Sequence, residues 1–233
     1  MRMVIRSIPV AALALCLGAA SLSAQQPGNG TFQWYVGGQG GILNFETPAQ
    51  GRSTIPLGGA HLLVTARRTG LLLSVDQGFG SNEASGYTFT VVDSTGAVAS
   101  QNLVNVTFNY VRKYSAMLMA FPIRGPATPF FGIGVGLLHT GGHTPDDDIS
   151  RELGSSGFGS LVGGVNFRVS RFSAFGQYQV TTGPGRQVAS QAGANGSTLI
   201  ESGSLLTGPV HTFSAGLRFN LGSSREKAST GGY

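Results

Sequence analysis

The residues of this chain that could do chemistry fall into three groups. Asp76, Arg168 and Arg218, with Arg112 a further candidate, are charged positions within alternating apolar and polar runs. On one inward strand face they would form either an ion-selecting constriction or an ion-pair network. His139, His143, Asp146, Asp147 and Asp148 share one short segment. Imidazoles with carboxylates can hold Zn²⁺, and oxygens alone can hold Ca²⁺. Their spacing fits no established metal loop, so a solvated acidic loop tip is expected, with no metal and no cofactor. The remaining histidines, His61 and His211, lie in strand-like runs without a matching serine and acid, which nucleophilic hydrolysis would need.

Two glycine patterns look like phosphate loops and are not. Gly132-x-Gly134-x-Gly136 repeats every second residue, whereas a dinucleotide site needs a strand, a glycine turn and then a helix. Small residues at period two relieve crowding inside a narrow barrel. Gly37-Gly38-Gln39-Gly40-Gly41 reads the same way, with a bulge expected.

The elements that must position these residues are strands. From His211 to Leu221 apolar and polar residues alternate without a break: His211, Phe213, Ala215, Leu217, Phe219 and Leu221 share one face, and Thr212, Ser214, Gly216, Arg218 and Asn220 the other. An apolar face opposite a small, hydrogen-bonding face suits a strand between lipid and a lumen. A soluble sandwich would reverse the two, with branched aliphatics packed inside and polar residues outside. Seven earlier runs alternate in the same way. They start at Phe32, Pro56, Leu71, Asn102, Phe131, Leu161 and Phe172. Arg67-Arg68-Thr69-Gly70, Arg124 to Pro129 and Ser170-Arg171 are short turns; the connections between them are long, around Gly80–Gln101, His139–Gly157 and Gly183–Gly208. Arginines gather at the short turns and carboxylates in the long loops.

A ten-stranded alternative would make the Tyr87–Val92 hairpin transmembrane. It needs a reversal near Arg112-Lys113-Tyr114-Ser115, where there is neither Gly nor Pro. The expectation is therefore an all-β, eight-stranded antiparallel transmembrane β-barrel with short periplasmic turns and long extracellular loops. Trp34, Tyr35, Tyr110, Tyr114, Tyr178 and Phe219 are expected in aromatic girdles at the two membrane interfaces.

Composition agrees. Thirty-seven glycines and a charged fraction of 11% are unusual for a soluble domain. Arg2 and Arg6 precede an uncharged apolar stretch, Ile8 to Ala20, which is too short to span a bilayer as a helix. Small residues at Ser21 to Ala24 complete the pattern of a cleaved export signal over 1–24. Residues 25–222 are then the barrel and 223–233 a disordered tail. The single cysteine, Cys16, falls in the signal, so the mature chain has no thiol chemistry. The formal charge of +5 falls to +3 without Arg2 and Arg6, too little for a nucleic-acid surface.

The segment Pro129-Phe130-Phe131-Gly132-Ile133-Gly134-Val135-Gly136 and the last strand resemble the small outer-membrane barrels of the OmpA/OmpX type. In the last strand Ser214, Gly216, Phe219 and Leu221 resemble the terminal signal read by the barrel assembly machinery, with Leu221 in place of the usual final aromatic. The resemblance implies a monomer in the bacterial outer membrane whose partners are outer-membrane lipid, lipopolysaccharide and, during biogenesis, that machinery. Lipid A deacylase barrels carry a His-x-Ser-Asn run near a strand top; Tyr178-Gln179-Val180-Thr181-Thr182 stands there without a histidine, so no catalytic residue is assigned. Fold does not give role. A structural or surface-interacting barrel (envelope integrity, adhesion) is the first expectation, a narrow porin-like channel the second, and a lipid or lipopolysaccharide hydrolase the third. A lumen of eight strands is just filled by side chains, which favours a charge network of Asp76, Arg168 and Arg218 over an open constriction.

Overall fold

The computed structural model describes residues 32–123, 125–145, 148–183, 187–192 and 198–224. The export signal expected at 1–24, Arg124, Asp146, Asp147 and the tail beyond Ser224 lie outside the described residues. In chain order the elements are β1 (Phe32–Thr47), β2 (Gly51–Ala66), β3 (Thr69–Val92), β4 (Val98–Ala120), β5 (Ala127–Gly141), the short helix α1 (Asp148–Leu153), β6 (Ser155–Val169), β7 (Phe172–Thr181), β8 (Gln187–Ala192), β9 (Thr198–Gly203) and β10 (Thr207–Ser224).

Eight of these strands close on themselves. β1 to β7 pair in sequence with antiparallel neighbours, and β10 joins β7 to β1. Closure leaves no edge within the wall, and that is the condition for backbone N–H and C=O groups surrounded by lipid. Following the pairing from Arg168 through Ser173, Arg218, Gly37, His61, Ser74, Ser115 and Gly136 leads back to β6 at Phe158 instead of Arg168. That offset is the stagger that tilts the strands and sets the barrel's width.

The Tyr87–Val92 hairpin is not transmembrane. It continues β3 and β4 as one long ribbon, and Arg112–Ser115 pass straight through β4. A bulge between Phe79 and Glu83 bends this ribbon, with Asn82 left-handed at φ 59° and its N–H held by the Asn109 side-chain oxygen at 3.1 Å. The stretch at 183–208, expected as a loop, carries the β8–β9 hairpin, and β9 adds to the upper part of β3. The result is a small sheet standing beyond the barrel. The loop expected at His139–Gly157 contains α1. β1 and β2 stay paired out to Thr47 and Gly51, so the connection between them is a three-residue turn. β10 continues through Ser224, two residues past the expected end of the barrel.

At the opposite end β2 passes to β3 at Arg67-Arg68 and β6 to β7 at Ser170-Arg171. The first residue of each turn is left-handed, φ 53° at Arg67 and 57° at Ser170. Short turns and both strand termini share this end, as in outer-membrane barrels whose short turns are periplasmic.

Candidate functional site

Period two sorts every strand into an inward and an outward face, and the inward face is layered. Towards the long-loop end Leu43, Phe45, Ile55, Leu57, Phe108, Val111, Leu138, Phe158, Leu206 and Val210 form one buried apolar cluster. Towards the short-turn end Tyr35, Leu63, Leu72, Met117, Met119, Phe121, Phe130, Val162 and Phe175 form another. Small polar residues on the inward faces imply a thin interior; large side chains instead close the lumen above and below.

Between these clusters runs a polar belt. Asp76 accepts a hydrogen bond from the Gln39 side-chain amide and one from Ser74 Oγ at 3.4 Å. Lys113 Nζ stands 3.8 Å from Asp76 Oδ2 and donates to Gln179 Oε1 at 2.7 Å and Thr212 Oγ1 at 3.0 Å. Gln179 Nε2 donates to Ser160 Oγ at 2.7 Å, and Gln177 Nε2 to Gln39 Oε1 at 3.3 Å. The belt thus ties β1, β3, β4, β6, β7 and β10 across the lumen. Asp76 and Lys113 are each 1% exposed, so this is a desolvated ion pair, viable because further hydrogen bonds satisfy both ends.

The three residues expected to form a lumen network are dispersed. Asp76 belongs to the belt. Arg218, equally buried, lies nearer the short turns, where its Nε donates to His61 Nε2 at 3.0 Å and its guanidinium carbon sits 3.8 Å from the centre of the Phe175 ring. Arg168 is exposed at the mouth and donates from Nη2 to the Tyr35 hydroxyl at 2.8 Å. Tyr35 therefore points inward and is buried, not part of an outer girdle. Arg112 faces outward: it donates to Gln77 Oε1 at 2.8 Å and stacks 5.3 Å from the Tyr110 ring centre.

The partner of Asp76 is Lys113, not the neighbouring Arg112 that the sequence brings forward as a candidate. Counting back by twos from outward Leu118 and Ala116 puts Arg112 outside and Lys113 inside, so the signal is present in the strand's parity. The glycines fit the same geometry. A Cβ at Gly37 would meet His61 Nε2 at 2.6 Å and the Leu217 carbonyl oxygen still closer.

The histidines of the third loop separate. His143 is buried with its Nε2 3.0 Å from Thr140 Oγ1, while His139 on the outer face has its Nδ1 2.8 Å from Ser155 Oγ. Among the described residues no group of three potential ligands comes together to hold a metal ion. The His139–Ser155 contact pairs a base with a hydroxyl. Across the strands His139 faces Arg112, not a carboxylate that would orient the imidazole. His211 stacks on Tyr178, whose hydroxyl lies 2.6 Å from His211 Nδ1.

Outside, the wall is apolar. Trp34, Leu73, Ile133, Val135, Leu161, Phe213 and Leu217 all project outward and are exposed, although hydrophobic. An isolated soluble protein does not expose a continuous apolar girdle around its middle. A closed barrel with this belt is built to stand in lipid.

The chain is an eight-stranded outer-membrane β-barrel.

This barrel keeps Ser214 and Gly216 on the lumen face of its last strand and Phe219 and Leu221 on the lipid face, where Phe219 packs against Phe172 with ring centres 5.2 Å apart. No protein-family model matches the chain, and no curated protein matches it. Similar solved structures include Neisserial surface protein A, 11% identical over 80% of this chain and 96% of that one with a TM-score of 0.48. The outer membrane protein OprG from Pseudomonas aeruginosa is 10% identical, covering 84% of this chain and 99% of its own, with a TM-score of 0.44. A major outer membrane protein from Thermus thermophilus is 14% identical over 81% and 98% respectively, with a TM-score of 0.44. These similarities are distant, and the architecture stands on the chain's own pairing and surface.

Proposed function

We propose that this barrel is a sealed scaffold, not a channel or an enzyme, and that its role lies in envelope integrity and in contacts made by the sheet beyond the membrane. The observation that carries this reading is the layered lumen: a hydrogen-bonded polar belt with a buried apolar cluster on each side. Ions would have to cross two layers of packed apolar side chains, which cannot replace a hydration shell as the carbonyl rings of a selectivity filter do. The external sheet supports the second half of the proposal. It rests on a satellite core of Tyr87, Val106, Leu153 and Leu205, and Ser85 Oγ donates to the Leu205 carbonyl at 2.7 Å. A contact surface built in this way is held in shape before a partner arrives, which lowers the ordering cost of binding.

On this reading the barrel acts as a monomer surrounded by outer-membrane lipid and lipopolysaccharide. The assembly machinery would engage Ser214, Gly216, Phe219 and Leu221. The test is to shorten the ribbon by replacing residues 87–104 with a two-residue turn between the paired Gly86 and Asn105, then to confirm folding by heat-modifiable mobility. Loss of cell adherence with the barrel intact is the expected result. Unchanged adherence together with unchanged detergent resistance in a strain lacking the protein would overturn the proposal.

A further inference from the structure

The charges inside the lumen do not balance. Asp76 and Lys113 neutralise each other, whereas Arg218 is 1% exposed and, among the described residues, has no carboxylate at ion-pair distance. A guanidinium does not shed its proton in proteins. His61 cannot supply the missing negative charge. Its Nε2 accepts the Arg218 Nε–H, which leaves the ring proton on Nδ1 and the imidazole neutral. The rings of Phe175 and Phe130, at 3.8 Å and 5.7 Å from the guanidinium carbon, soften the charge on its faces and leave its edge free. Along that edge both Nη1 and Nη2 lack a hydrogen-bond partner. Water could fill the two hydrogen bonds but would leave one positive charge in a space closed on both sides by apolar clusters. An uncompensated buried charge is among the costliest features a fold can carry.

We infer that the Nη1–Nη2 edge of Arg218 is a binding site for one small monovalent anion of the halide class, held inside the barrel as a structural counter-ion. One negative charge balances one guanidinium, and a divalent anion would restore the imbalance with the opposite sign. The surroundings suit a small ion. On the same inward face of β10, Ser214 Oγ is also buried and unpartnered, while Gly216 between them is packed against the Phe175 ring that lies under the guanidinium. His61 acts as the positioning residue, because its bond to Nε fixes which edge of the guanidinium faces the site.

The direct test is a crystal of the full chain grown in bromide, with anomalous scattering recorded at the bromine edge. A bromide peak at hydrogen-bonding distance from both Arg218 Nη atoms is the expected result. Water alone at those positions, with no anomalous peak, would overturn the inference. The second test follows the apparent melting of the refolded barrel as gluconate is replaced by chloride at constant ionic strength. The midpoint of the native protein should rise saturably by about 3 °C as the site fills, and that of Arg218→Met should not move. An equal response in both proteins, or none in the native one, would refute the site. Should Arg218→Met fail to fold, the bromide crystal still decides.

Discussion

Removing both members of the Asp76–Lys113 pair should cost clearly less than the sum of removing each alone. At 3.8 Å and an effective dielectric of ~20 the two charges attract by about 4 kcal/mol. Asp76→Asn keeps a side chain that can still accept from Gln39, but it leaves the Lys113 ammonium buried without a counter-charge. Lys113→Met leaves the carboxylate likewise and also strips Gln179 and Thr212 of a donor. Each single substitution should destabilise the barrel by about 3–5 kcal/mol, the range for breaking a buried pair. The double variant Asp76→Asn/Lys113→Met buries no charge. What it loses are the hydrogen bonds of the Lys113 ammonium to Gln179 and Thr212, each costing about 1–3 kcal/mol for the buried acceptor left unsatisfied. It should therefore fall about 2–4 kcal/mol short of the sum of the singles. Urea titration of the four proteins in vesicles, read by heat-modifiable mobility and tryptophan fluorescence from Trp34, gives the coupling. Additivity within about 0.5 kcal/mol would refute a desolvated pair and point to a hydrated, screened lumen.

Three further outcomes concern other parts of the wall. Leu217→Arg, on the lipid face, should cost about 2–4 kcal/mol in vesicles, while Val98→Arg on the ribbon beyond the membrane should change stability by less than about 0.5 kcal/mol; equal effects would contradict the placement of the belt. Gly37→Ala should destabilise by about 1–3 kcal/mol, because its Cβ would press on the His61 ring and on a backbone carbonyl that cannot move aside; a neutral result in the same titration would mean that His61 is not seated there. At the ribbon tip Asp93 is held below the ordinary aspartate value of 3.8, first by the Thr95 hydroxyl and then by backbone N–H groups of Ala97 and Thr95. A depressed carboxylate favours the folded turn above its unfolded value and loses that preference as pH falls through its folded value. Carboxyl-carbon NMR should give an Asp93 midpoint below 3.8, and a midpoint at or above it would contradict the turn geometry.

The barrel wall was legible in the sequence because period-two patterning reports directly on which face each side chain takes. The outward residues of β3, β5, β6 and β10 fall where that alternation places them. The interior was less legible, because parity gives a face but not a depth. Depth comes from the stagger around the wall, which sets Arg218 level with His61 and Ser74 but leaves Asp76 one step away, opposite Lys113. Tyr35 was misplaced for a related reason: Trp34 and Tyr35 are adjacent and both suit an interface, and only one of them can face lipid. The Tyr87–Val92 hairpin was legible as an extension of the two strands that carry it, as the pairing of β3 with β4 bears out, whereas the β8–β9 hairpin was hidden by its Gly and Ser content. Those residues read as loop until tertiary pairing makes them strands.

Single-channel conductance of the purified, refolded protein in a planar bilayer tests the sealed lumen most directly, once heat-modifiable mobility has shown that the barrel is folded. The layered lumen predicts silence across the voltage range, with no discrete steps. Steps whose ion selectivity changes in Arg218→Gln or Asp76→Asn would mean that the lumen conducts, and would contradict a sealed barrel.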